Sequence, residues 1–162
     1  MNSRISKGYW IWGQFDANST DLINSLYQEI NNKLNGPNFD IHLTISGPFN
    51  YDEEKQKETF KVISSKFNEI DLQLKGISKT DEFFRSLFID VAQNENLNNL
   101  KDCFESKFNI NSPKYCPHIS LFYGIEDDAT KKEIIRKLKV PKSAIMDKIS
   151  IVKVDEEIKS WE

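Results

Sequence analysis

Apolar and polar positions change period several times along the chain, and each change marks an element. Residues 8–15, Gly-Tyr-Trp-Ile-Trp-Gly-Gln-Phe, are rich in aromatics and bounded by polar residues, which predicts a strand. With Ser19 or Thr20 as N-cap, Leu22, Ile23, Leu26, Tyr27, Ile30 and Leu34 then recur at helical spacing, and Gly36-Pro37 supplies the stop. Residues 39–45 alternate, with Ile41, Leu43 and Ile45 on one face and His42 and Thr44 on the other. A half-buried strand ended by Gly47-Pro48 is expected. Residues 52–68 open on acidic side chains, which suit a helix N-terminus, and set Phe60, Ile63 and Phe67 on one face. Residues 70–78 alternate again through Ile70, Leu72 and Leu74.

The same order then returns. A strand is predicted over Phe83–Val91, and a helix over Asn94–Phe108 with Leu97, Leu100, Phe104 and Phe108 on one face. A strand over Pro117–Tyr123, a helix over Asp127–Val140 and a strand over Lys148–Val154 follow. His42 and His118 are 76 residues apart (118 − 42), as are Thr44 and Ser120, and the helix and strand starts keep nearly the same offset. This reads as an internal duplication of strand-helix-strand-helix-strand. The expectation is an α+β fold in one domain, residues 1–162, with pseudo-repeat halves of about 8–80 and 81–162. Its two lobes would face a shared cleft, with helices on the outer faces.

Composition narrows the function classes. Hydrophobic residues make up 38% and charged residues 29%, which rules out disorder along the whole length. The net charge of −3 argues against a protein that coats duplex DNA or long RNA, because such binding needs a basic face. No apolar run approaches the roughly 20 residues of a membrane span, and Met1–Gly8 has no signal-peptide core. A cytoplasmic monomer without membrane contact is therefore expected. Cys103 and Cys116 read as reduced, partly buried thiols. The two histidines are far apart in sequence and no CxxC or HExxH occurs, so neither metal nor cofactor is expected.

His42-Leu43-Thr44 and His118-Ile119-Ser120 contain the only two histidines of the chain. On a strand, residues two apart share a face, so each segment presents an imidazole beside a hydroxyl. One such string is short and common, but two at equivalent places in a duplicated fold point to a shared site. An imidazole with a pKa near 6.5 can be neutral or protonated around neutral pH, so one ring can take a proton from water while the other gives one to a leaving oxygen. Thr44 and Ser120 would hydrogen-bond non-bridging phosphoryl oxygens. This is phosphodiester chemistry, and the sequence leaves open which histidine is the base.

Further residues are candidates for the pocket wall. Tyr123 could bond phosphate or pack on a base, and Trp12, which shares strand parity with Trp10, could stack on one. Phe84 is favoured over Phe83 as a cleft residue, although a one-residue register change reverses the face. Trp161 could close the pocket or cover an edge. Lys131, Lys132, Arg136, Lys137 and Lys139 read as the solvated face of a helix.

The segments Gly36-Pro37-Asn38-Phe39 followed by His42-Leu43-Thr44-Ile45, and Pro117-His118-Ile119-Ser120-Leu121-Phe122-Tyr123, resemble the two signatures of the 2H phosphoesterase superfamily. Within it the sequence is most similar to the cyclic phosphodiesterase group, as are Trp12, Phe83-Phe84 and the closing segment 154–161. The resemblance implies a bilobal, LigT-like fold of two antiparallel sheets around a cleft. It also implies metal-independent hydrolysis of small cyclic phosphates: nucleoside 2',3'-cyclic phosphate to 2'-phosphate, or ADP-ribose 1'',2''-cyclic phosphate to the 1''-phosphate. By motif position His42 and His118 would be the acid-base pair, with Thr44 and Ser120 binding phosphate. The alternatives are a 2H phosphodiesterase acting on 2',5'-oligoadenylate or cyclic oligonucleotide signals, and a non-catalytic nucleotide- or RNA-binding module, with RNA 3' ends or oligonucleotides as further candidate partners.

Overall fold

The computed structural model describes residues 7–155. Its elements run β1 (Gly8–Phe15), α1 (Ala17–Asn31), β2 (Leu43–Phe49), α2 (Glu53–Lys66), β3 (Ile70–Lys79), β4 (Leu87–Val91), α3 (Glu95–Phe108), β5 (His118–Phe122), α4 (Asp128–Lys137) and β6 (Ser143–Val154), with a single 3-10 turn at Phe83–Arg85 before β4. All six strands pair antiparallel in the order β1-β2-β5-β4-β3-β6, and β6 returns to β1. Exchanging β1 with β4, β2 with β5 and β3 with β6 maps this ring onto itself. Each strand pair β1-β2 and β4-β5 takes its third strand from the other half of the chain, β6 and β3 respectively. The two triplets meet at β3-β6 and at the narrow β2-β5 seam, where Leu43 faces Ile119.

Strand parity sorts the side chains. Ile11, Leu43, Ile45, Ile89, Ile119 and Leu121 are buried in one core with Ile23 and Ile30 of α1, Leu97 and Phe104 of α3 and Ile134 of α4. Burying such a side chain contributes about 1.5–3 kcal/mol, so this face drives folding. The alternate positions Trp12, Val152 and Val154, with Trp10 packed against them, form a separate smaller cluster. That cluster belongs to the cleft.

Several boundaries differ from the sequence reading, each for a local reason. Helix α1 starts earlier than Ser19: Asp16 is its N-cap, its carboxylate accepting from the Ser19 N–H at 2.8 Å. The Ser19 hydroxyl is used elsewhere, accepting from the Ile145 N–H. Strand β2 begins after His42 and runs through Gly47-Pro48 to Phe49 instead of ending there. Gly47 has φ +140° and lies against Trp10, where a Cβ would come within 2.8 Å of the indole. Register shifts in β1 around Ile11 absorb this bulge, and Pro48 is exposed on it.

The expected strand over 83–91 loses its first four residues. The Thr80 hydroxyl donates to the Arg85 carbonyl and the Thr80 N–H to that of Ser86, which folds the segment back on itself and puts Phe84 on the 3-10 turn. Strand β6 starts at Ser143, five residues before expectation, because Ser143–Met146 pair with β3. The basic face of α4 is not wholly solvated. Lys131 is buried, its ammonium donating to the Thr80 carbonyl at 2.7 Å, while Lys132, Arg136 and Lys137 pair at the surface with Asp128 and Glu133. The cysteines are unjoined, Cys103 half-buried and Cys116 exposed rather than partly buried. No helix among the described residues is long and apolar enough to cross a membrane. Trp161 lies outside the described residues.

Candidate active site

The two motifs come together across the β2-β5 seam. Because Leu43 and Ile119 pair there and point into the core, His42 with Thr44 and His118 with Ser120 emerge on the opposite face of adjacent strands. A cavity of about 240 Å³ is lined by these four residues, by Trp10, Trp12, Phe84, Tyr123 and Val154, and by Glu82 and Arg85. The four motif residues and the three aromatic wall candidates expected from the sequence thus share one cavity. The 3-10 turn, not a strand, delivers Phe84, and with it Arg85.

The two imidazoles are held in the same way. His42 Nδ1 lies 2.7 Å from the Asp40 carbonyl and His118 Nδ1 lies 2.9 Å from that of Cys116, in each case two residues upstream. A carbonyl only accepts, so each Nδ1 carries hydrogen and each Nε2 is left to give or take a proton.

Their surroundings differ. The His42 ring is stacked on the Trp12 indole, centroids 3.5 Å apart and planes 6° from parallel, whereas Phe88 meets His118 edge to face at 5.3 Å. Burial is the main cause that depresses the His42 pKa to about 4, the Asp40 hydrogen bond opposing it and the charge of His118 adding to it. Burial also lowers that of His118 and Arg85 reinforces the effect, while the Cys116 hydrogen bond and the carboxylates of Asp90 and Glu82 act to raise it. Asp90 stands opposite His118 in the β4-β5 register and accepts from the Ser78 hydroxyl.

The hydroxyls sit on supported backbone. Tyr115 donates its O–H to the Thr44 carbonyl at 2.8 Å, and burial pushes the Tyr115 phenol well above its usual range. Ser120 Oγ is 3.5 Å from the Phe84 carbonyl, and the Tyr123 phenol, also raised by burial, neighbours Ser120. Tyr123 in turn is stacked on Phe39 at 3.8 Å and meets Phe84 edge to face at 5.2 Å. Among the described residues no three His, Cys, Asp or Glu side chains assemble into a group able to hold a metal ion.

Arg85 was missed from the sequence. Its guanidinium lies over the Phe88 ring, 4.7 Å from the centroid, and among the described residues its buried Nε has no hydrogen-bond partner. The available signal was an arginine at the end of an aromatic pair in a chain whose basic residues are nearly all lysine. Periodicity assigns such a residue a face only if the segment is a strand, and this one is not.

A family model described as "Cyclic phosphodiesterase-like protein" matches residues 13–162. The chain belongs to the cyclic phosphodiesterase-like family. No curated protein matches the sequence. Among solved structures, E. coli LigT in its apo form superposes with a TM-score of 0.65 at 13% identity, over 96% of this chain and 92% of that one. E. coli LigT complexed with 3'-AMP gives 0.59 at 10% identity over 96% and 92%, and a structure described as a phosphoesterase gives 0.60 at 10% over 98% and 94%. At these identities the likeness shows the fold, which is that of the 2H phosphoesterases. This cyclic phosphodiesterase-like chain therefore carries a phosphoesterase fold, and its two histidines line one cavity.

Proposed function

We propose that the protein hydrolyses small cyclic phosphates, nucleoside 2',3'-cyclic phosphate to the 2'-phosphate or ADP-ribose 1'',2''-cyclic phosphate, with two imidazoles as base and acid. The observation that carries this reading is the pair of matched histidines on one cavity, each with Nδ1 bonded to a carbonyl and Nε2 left for proton transfer. The nucleotide-bound structures of E. coli LigT, with 3'-AMP and with ATP, support a nucleotide as the substrate class.

In this reading His42 is the base. Buried against Trp12 with its pKa near 4, it is neutral at neutral pH, and its Nε2 lone pair takes a proton from water as the oxygen attacks phosphorus. His118 is the acid. Burial lowers its pKa while Asp90 and Glu82 oppose that shift, the bound phosphate anion favours the protonated ring, and its Nε2–H passes to the leaving 3'-oxygen in line with the attack. The P–O3' bond breaks as the bond to water oxygen forms, leaving phosphate on the 2'-oxygen. Thr44 and Ser120 donate to the non-bridging oxygens, where negative charge grows. Trp12, Phe84 and Tyr123 form the wall against which ribose and base pack. Both proton transfers are made by protein groups, so the reaction is proposed to need no metal.

The deciding experiment is incubation, with EDTA, of nucleoside 2',3'-cyclic phosphates, ADP-ribose 1'',2''-cyclic phosphate, 2',5'-oligoadenylate and cyclic dinucleotides, with products read by mass and retention time. Turnover of the small cyclic phosphates, lost in the His42→Ala/His118→Ala double variant, is the expected result. Turnover confined to oligonucleotides would replace it with degradation of nucleotide signals, and no turnover of any substrate would leave a binding role.

A further inference from the structure

The catalytic cavity has a neighbour. A second cavity of about 220 Å³ opens beside it and shares Trp10, Thr44, Arg85 and His118 with it. Ligand sites commonly span ~300–1,000 Å³; each cavity alone falls below that range and the two joined fall within it. Arg85 lines both, so its side chain stands where the two cavities adjoin.

The charges of the second cavity are unequal in what they can offer. The Lys101 ammonium is buried but already bonded to Glu105 and Ser112, so its charge is met inside the protein. Arg85 has no such partner: among the described residues no carboxylate pairs with it, its contact is the Phe88 ring, and its buried Nε donates to nothing. A part-buried guanidinium without a counter-charge is costly, and its flat fork of donors fits phosphate. Lys114, exposed on the loop before β5 and likewise without a described carboxylate, lines the same cavity. The net charge of −3 makes this a local attraction, not part of a basic surface.

We infer that the second cavity is a subsite for a further phosphoryl group of the substrate, bound by Arg85 and Lys114, so that the preferred ligands carry a 5'-phosphate or 5'-phosphodiester in addition to the reacting cyclic phosphate. This rests on the cyclic-phosphate reading above for the placement of the reacting group. Arg85 is then a specificity-determining residue. It meets the second phosphate across the junction while Thr44 and Ser120 hold the first.

Binding and turnover test it separately. Tryptophan fluorescence, to which Trp10 and Trp12 of the cavity wall contribute, is titrated with adenosine 2'-phosphate and with adenosine 2',5'-bisphosphate in 0.1 M salt. The bisphosphate is expected to bind at least tenfold tighter, Arg85→Gln to bring the ratio within twofold of one, Arg85→Lys to retain part of it, and the surface change Lys114→Ala to narrow it. In turnover, adenosine 2',3'-cyclic phosphate is compared with its 5'-phosphorylated form and with a dinucleotide ending in a 2',3'-cyclic phosphate, which separates a terminal phosphate from a diester. Equal affinities in the wild type overturn the inference. So does a preference that survives in the Arg85→Gln/Lys114→Ala variant, and so does an equal loss for both ligands in Arg85→Gln, which would put Arg85 on the reacting phosphate alone. A binding ratio that holds while no cyclic phosphate is hydrolysed would overturn the catalytic reading and leave the subsite standing.

Discussion

The indole of Trp12 lies flat on the imidazole of His42, 3.5 Å between centroids and 6° from parallel, and the same strand position that buries Trp12 beside Thr44 keeps His42 dry. A neutral ring stacks there more readily than a charged one can be solvated, so the contact fixes both the orientation of the proposed base and its protonation state.

Trp12→Leu removes that lid. The acid limb of kcat/KM is expected to move from near 4 toward the ordinary histidine value of about 6.5 as water reaches His42. The rate at the optimum should fall by roughly 10- to 100-fold from lost positioning. An unmoved acid limb in a folded variant would deny Trp12 this role.

The proposed division of labour predicts a leaving-group test. His42→Ala and His118→Ala should each cost ~10²–10⁴ in kcat on a cyclic phosphate with a poor leaving group. On a nitrophenyl phosphodiester, whose leaving oxygen needs no proton, His118→Ala should recover most of its rate and His42→Ala should not. The opposite pattern would reverse the two roles.

The pH profile follows from the same environments. Activity needs His42 deprotonated and His118 protonated, so kcat/KM should be bell-shaped, its acid limb near 4 and its basic limb below 6.5. Bound phosphate raises the His118 pKa, so the basic limb of kcat should lie at higher pH than that of kcat/KM. Coincident limbs would mean that His118 does not face the substrate charge.

Stability should respond to pH through His42 as well. Its folded pKa is below the unfolded value, so protons bind the unfolded chain more readily between the two: the contribution is complete above about pH 6.5 and lost as pH falls to about 4. Burial of a neutral His42 makes this pH-dependent difference about 3 kcal/mol, because each tenfold change in proton affinity between the folded and unfolded chain is worth about 1.4 kcal/mol. Urea unfolding at pH 7 and pH 4.5 should show a drop in the wild type that is smaller in His42→Gln.

The β2-β5 seam rests on Leu43 facing Ile119, both fully buried. Each alanine substitution should cost about 2–5 kcal/mol. The two changes should be non-additive by about 0.5–3 kcal/mol, because the side chains are neighbours. Activity measured well below the unfolding transition should also fall, since these residues set the spacing of the two histidine strands. Simple additivity would mean that the seam is held by other contacts.

Much of this molecule was legible before any fold was seen. The element order, the parity that puts Leu43 with Ile45 and Ile119 with Leu121 in the core, and the side-by-side His42/Thr44 and His118/Ser120 all follow from periods of 2 and 3.6, which are local properties of the backbone. The helix starts expected at residue 52, Asn94 and Asp127 fall on the N-cap residues of α2, α3 and α4, and these were equally local. Asp16 and Ser19 were not, because the Ser19 hydroxyl answers to Ile145, a residue 126 positions away.

The sequence by itself determined which groups could do chemistry and that they come as a matched pair. Only the tertiary structure decided that the pair shares a cavity, because that depends on β2 pairing with β5 across the two halves of the chain. It also made the two histidines unequal, since a pKa is set by what surrounds a ring and not by its neighbours in sequence: Trp12 on one side, and Asp90, Glu82 and Arg85 on the other. Arg85 itself became visible only there. A one-turn 3-10 helix held by Thr80 has no period to read, and its side chain reaches the cavity because the turn, not a strand, sets its direction.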